Sequence, residues 1–208
     1  MNGVDPVASP PTDANYRAAF TAWLGGLGSE ARELASLLAH DGAPEPVRRF
    51  AAETLNQLLS AVDLVPEGVE ALAYLEGLFA FRVLARELPA SALRPEGREQ
   101  SDLPAADPRG ILSRLAGDAE LVEAFLGAED YARLSGIVLA QRDRRSRGRS
   151  PGELVEVDEA RSAAVQEVQS WAERYRPPSF GSGSHDLVRL LSFLRTRVRR
   201  APITETAE

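Results

Sequence analysis

Pro66 interrupts the leucine-rich stretch Leu58 to Leu78, LLSAVDLVPEGVEALAYLEGL. Proline lacks the amide hydrogen of an interior helical bond and its ring clashes one turn back, yet its fixed φ suits a first turn. The chain must therefore bend around Val62 to Val65 and begin a new helix. Upstream, Val47, Phe50, Ala51, Leu55, Leu58 and Val62 recur at helical spacing, with Arg48, Arg49, Glu53, Asn56 and Gln57 on the other side. That pattern, opened by Pro44 and Pro46, predicts a surface-facing amphipathic helix. Downstream, over about Pro66 to Leu88, apolar side chains surround the axis, which predicts burial among several neighbours. Glu76 lies there on the stripe of Val69, Leu72, Ala80 and Val83. A carboxylate in that place must be paired, protonated or at an edge, and Arg48, Arg49 and Arg82 are the candidate partners.

The remaining segments read as helices too. Thr12 or Asp13 can cap a first helix with Tyr16, Phe20, Trp23, Leu24 and Leu27 inward. Gly25, Gly26 and Gly28 are expected to break it. A second helix from Ser29 then buries Leu34, Leu37 and Leu38 and stops near Asp41-Gly42, with His40 in its last turn. Past Pro89, Asp107-Pro108 starts a short helix over Ile111, Leu112 and Leu115, closed by Gly117. Asp118 caps another with Leu121, Val122, Phe125 and Leu126 inward, and Tyr131, Leu134, Ile137 and Val138 continue after Gly127. Ser150-Pro151-Gly152-Glu153 resembles a capping box, although Asp158 is an alternative start for the helix carrying Val165, Val168, Trp171, Ala172 and Tyr175. Pro177-Pro178 stops that helix. A final one, about His185 to Arg200, presents Leu187, Leu190, Leu191, Leu194 and Val198. Trp23 and Trp171 fall on apolar stripes and are expected as core anchors.

With no internal repeat and no hairpin signal, the fold class is all-α: a helical bundle with a two-helix hairpin around the proline turn, plus a C-terminal helical part. The expected division is a tail at 1–12, a helical domain at 13–94, a polar linker at 95–106, a second helical region at 107–200 and a tail at 201–208.

Composition removes several chemistries. All 24 basic residues are arginine, and without lysine there is no Schiff base and no Walker-type phosphate loop. Without cysteine there is no disulfide, thiolate metal site or thiol nucleophile. His40 and His185 are far apart in sequence and form no ligand motif. FGSGSH near residue 180 lacks the strand-turn-helix setting of a serine nucleophile. No catalytic residue and no cofactor site is assigned. The formal charge of −7 opposes nucleic-acid binding through the overall field. The N-terminal residues have neither the basic start nor the apolar segment of a signal peptide, and no apolar run reaches spanning length. A cytosolic protein is expected, with a place at the membrane periphery as the alternative.

From Leu58 onward the stretch resembles the signature of the YkvA-like family, a small bacterial helical domain. That pattern runs approximately Leu-Leu-Ser-Pro-Ile-Asp-Leu-Ile-Pro-Asp-Phe-Ile-Pro, then Leu-Gly-Tyr-Leu-Asp-Asp after one variable residue. Ser60, Asp63, Leu64, Pro66, Leu72, Tyr74 and Leu75 match, and Val62, Val65, Glu67, Val69 and Glu76 are conservative. Ala61, Gly68, Glu70, Ala73 and Gly77 depart, the last removing the second acid of the closing pair. The resemblance covers residues 58–78 and makes the chain a degenerate member at most. It implies a helical hairpin and leaves membrane association open.

Two groups of residues could carry a function. Asp63, Glu67 and Glu76 could together hold a hard divalent cation such as magnesium, calcium or manganese, giving a carboxylate-metal enzyme. The simpler account has Asp63 capping the new helix, Glu67 in solvent and Glu76 paired with arginine. The run Arg142, Arg144, Arg145, Arg147 and Arg149, with Arg195, Arg199 and Arg200 of the last helix, could meet a protein partner or an anionic membrane surface. Asp143 interrupts the run and no aromatic residue interleaves for base stacking, so nucleic acid is not expected. For the last helix the simpler account is a core element with a charged outer face. The leading expectation is a non-enzymatic helical interaction or adaptor module. Its rivals are a peripheral membrane protein and the metal enzyme.

Overall fold

The structure is a computed structural model that describes residues 11–62, 70–89, 108–181 and 184–200. These residues form helices α1 (Asp13–Ala39), α2 (Glu45–Val62), α3 (Glu70–Arg86), α4 (Pro108–Leu126), α5 (Ala128–Gln141), α6 (Pro151–Glu156), α7 (Asp158–Arg174) and α8 (Ser184–Arg200). Among the described residues there is no strand, only a single bridge between Ser146 and Arg149. The protein is all-α. Pro66 and the bend from residue 63 onward lie outside the described residues, as do 95–106, 201–208 and the first tail up to residue 10.

α1 starts where the sequence places it. Thr12 Oγ1 accepts from the Asn15 amide, and the Asn15 side chain accepts from the Thr12 amide at 2.9 Å, a reciprocal capping box. It does not break at the glycines, contrary to expectation, and runs unbroken for 27 residues. Each interior glycine costs about 1 kcal/mol of helix propensity. Burial outweighs that cost, because Leu24, Leu27, Ala31, Leu34, Ala35 and Leu38 are all nearly inaccessible and a buried leucine contributes roughly 1.5–3 kcal/mol. Gly28 also has a packing reason: an added Cβ would stand 3.4 Å from the Tyr175 ring. His40 is the C-cap, one residue beyond the last turn, and its amide donates to the Leu37 carbonyl.

α3 is the central element, packed against α1, α2, α4, α5 and α8. Residues Leu78 to Ala85 are all buried, as expected for a helix apolar around its whole circumference. Its first turns, Glu70 to Tyr74, are only half covered. α4 likewise overrides an expected break and passes straight through Gly117 and Asp118, because the Asp118 carboxylate serves a buried arginine rather than a helix cap. The true break comes at Gly127, whose φ of +83° is open to glycine and costly for other residues. Ser150 and Glu153 do form a capping box at the start of α6, and Asp158 opens α7 separately.

One hydrophobic core runs from Phe20 of α1 to Val198 of α8 and draws on helices from both sides of residues 95–106. Trp23 and Trp171 are both within it. α8 inserts Leu187, Leu190, Leu194 and Val198. No helix among the described residues is long and apolar enough to cross a membrane.

Candidate functional site

Three places gather charged side chains, and only the last of them is open. The first is Arg82, a fully buried guanidinium in the middle of α3. Its Nε donates to Asp118 at 3.1 Å, Nη2 to Glu30 at 3.3 Å and Nη1 to the Leu78 carbonyl at 3.1 Å. The Trp23 ring lies 3.8 Å from the guanidinium carbon, a cation–π contact out of water. Burial pushes the Glu30 carboxyl above its ordinary range, against the pull of Arg82 and Arg114, while burial lowers the Arg82 pKa. Glu30 Oε2 is buried without a hydrogen-bond partner in the described structure. This cluster ties α1, α3 and α4 together.

The second place is the arginine run. Instead of extending into solvent, it lies over the polar side of α2, which is therefore not the surface-facing helix expected. Glu53 and Asn56 are buried there. Glu53 accepts from Arg49 at 3.1 Å and from Arg142 at 3.3 Å, and Asn56 donates to the Arg144 carbonyl at 2.8 Å. Asp143 pairs with Arg49, and Ser60 bonds to Ser146. Arg145 reaches Glu153 at 2.7 Å, while Arg147 and Arg149 both pair with Glu167 of α7. Ser146 and Arg149 exchange both backbone bonds across a two-residue turn, with Arg147 at φ +48° and Gly148 at φ +78°. These dihedrals suit a type I′ turn. Of the five arginines, Arg144 alone has an exposed side chain with no partner among the described residues.

The third place lies between the first turns of α3 and the outer face of α8. Glu76 is indeed paired, though with none of the three arginines expected. Arg197 grips it with both Nε and Nη2, at 3.0 Å each to the nearer oxygen, and the carboxylate holds the guanidinium proton more tightly than usual. The reason is the placing of α8 beside α3, which turns Glu76 outward to the edge of the core. Next to this pair Leu72, Val188, Arg189, Ser192, Phe193, Thr196 and Arg197 line a shallow, open hollow of about 580 Å³. A second hollow of about 320 Å³ adjoins it through Leu72 and Arg189, bounded by Glu70, Phe180 and Asp186. Val188 is 64% exposed. Arg189 has no partner among the described residues.

Nothing matches this chain among family models, curated proteins or solved structures. The site therefore rests on its own geometry.

Asp63 and Glu67, two of the three acids proposed for a cation, lie outside the described residues. Among the described residues no group of three acidic or histidine side chains converges on a metal position. Arg195 and Arg199 both turn to Asp130, at 2.8 and 3.9 Å, and Arg200 ends α8. Sequence reasoning missed Val188 and Phe193 as site residues. Their signal was present: both are apolar, yet both fall off the stripe of Leu187, Leu190, Leu194 and Val198.

Proposed function

We propose that this chain is a non-enzymatic helical interaction module whose docking surface is the groove between α3 and α8. The observation that carries this reading is Val188, a large apolar side chain mostly in water, in a hollow lined also by Leu72 and Phe193, with Arg189 at its rim lacking a partner among the described residues. An apolar centre with a polar border is how protein interfaces are built, and a groove between two helices takes helical partners readily. The arginine run supports the reading indirectly. Four of its five guanidiniums are engaged within the chain, whereas Arg189 of α8 has no counter-ion among the described residues.

The same geometry favours a protein over an anionic bilayer. A surface-bound amphipathic helix buries its apolar stripe in the lipid boundary, whereas the α8 stripe is already inside the core. With this reading goes the cytosolic location inferred from the sequence. A photo-crosslinking residue at position 188, introduced in cells of the native host, tests it. The control position is Val157, 46% exposed at the α6–α7 junction. Adducts with another protein from position 188 and not from 157 are expected. Identical adducts from both positions, or adducts confined to the chain itself, refute the docking surface.

A further inference from the structure

We infer that the occupant of the α3–α8 groove is an acidic amphipathic helix supplied by a partner protein. This rests on the docking reading and adds the chemistry of the partner. The argument begins with charge. α8 carries five arginines against one aspartate, within a chain whose formal charge is −7. Arg195 and Arg199 are drawn to Asp130, away from the groove. The two groove arginines differ in their state. Arg189, where the two hollows meet, is without a counter-ion among the described residues. Arg197, at the other end, stands beside Phe193 with its guanidinium 5.5 Å from the ring and keeps 62% of its side chain exposed despite its bond to Glu76. Glu70 and Asp186 line the adjoining hollow and not this one. Along the groove itself an incoming carboxylate meets Arg189, which lacks a partner among the described residues, and shares Arg197, whereas an incoming cation would face both.

The shape argues for a helix. Val188, Ser192 and Thr196 follow one another at i, i+4 and i+8 along α8 and form one ridge, whose last two members are small. Small ridge residues let another helix approach closely, and a ridge of this kind fits the groove of a third helix laid alongside. From Val188 to Arg197 the surface extends about 14 Å, so a helical segment of about 10–12 residues covers it. Leu72 of α3 and Phe193 of α8 both line the hollow and would meet the apolar face of such a segment. Among the described residues no open strand offers an edge for an extended peptide.

The test uses the full chain and labelled peptides of about 15 residues, long enough to cover the ridge. One has leucines on one helical face and glutamates on the other, and its match has arginine for every glutamate. Vesicles of phosphatidylcholine with phosphatidylglycerol form a third arm. Fluorescence anisotropy should show binding of the acidic peptide alone, weakening as salt is raised. NMR shifts should cluster at Leu72, Val188, Arg189 and Phe193. Val188→Asp and Arg189→Glu should each weaken binding about tenfold or more. Both side chains are exposed, so circular dichroism and melting should be unchanged.

The inference is overturned if the acidic peptide does not bind, if the arginine peptide binds equally, or if the shifts fall on another face. It is also overturned if the vesicles capture the chain through Val188, or if Val188→Asp merely dissociates a homodimer. A cross-linked partner at position 188 together with a silent acidic peptide removes this inference and leaves the docking reading standing. Failure of both experiments removes both.

Discussion

Arg82 shows how one side chain can serve three helices. Its guanidinium is out of water, and its hydrogen bonds to Glu30, Asp118 and the Leu78 carbonyl replace the solvent it has lost. Removing one member of a buried ion pair strands the other and costs about 3–5 kcal/mol. Arg82→Met should lower unfolding stability in urea by that order. Adding Glu30→Gln should recover part of the loss, because the stranded carboxylate is gone, and a double variant as weak as the single one would contradict this account. Glu30 also sets a pH dependence. Burial raises its pKa above the ordinary 4.5, so the folded chain holds that proton more tightly than the unfolded chain. The contribution is fully present below 4.5 and is lost as pH rises through the raised value. Stability measured across that window should fall more steeply for the native chain than for Glu30→Gln.

At the scale of the helices, the glycines separate into kinds that sequence cannot distinguish. An added Cβ at Gly25 or Gly26 meets nothing within 4 Å, whereas Gly127 sits at φ +83°. Gly25→Ala and Gly26→Ala should each raise stability by about 0.5–1 kcal/mol, and Gly127→Ala should lower it by about 1–2 kcal/mol, as read from thermal melts. α3 was legible because its apolar residues go round the axis, and the start of α6 because Ser150 and Glu153 carry their own hydrogen bonds. The continuity of α1 was not, since the groups that hold it come from remote sequence: Arg32 donates to the Ala172 carbonyl and the Tyr175 hydroxyl to the Leu24 carbonyl. Glu53 and Asn56 looked solvent-facing for a similar reason, since their covering segment is also polar. In the groove, Val188 could be seen as off the stripe, but its sharing a hollow with Leu72 depends on how α8 packs beside α3.

Across the whole molecule, α8 is both part of the core and the wall of the proposed site. Cutting the chain before Ser184 would withdraw Leu187, Leu190, Leu194 and Val198 from the interior, at roughly 1.5–3 kcal/mol each. The truncated chain should melt well below the intact one or fail to fold, while Val188→Asp should melt as the native chain does. A truncation that melted normally would show that α8 is not integral to the core. The pairing of α1 with α7 has another consequence. During synthesis α1 finds its neighbour α7 only after α2 to α6 have been made, and the polar side of α2 waits for residues 142–149. Until α7 emerges, the face of α1 that it covers stays open, and that interval is where a chaperone would be of most use.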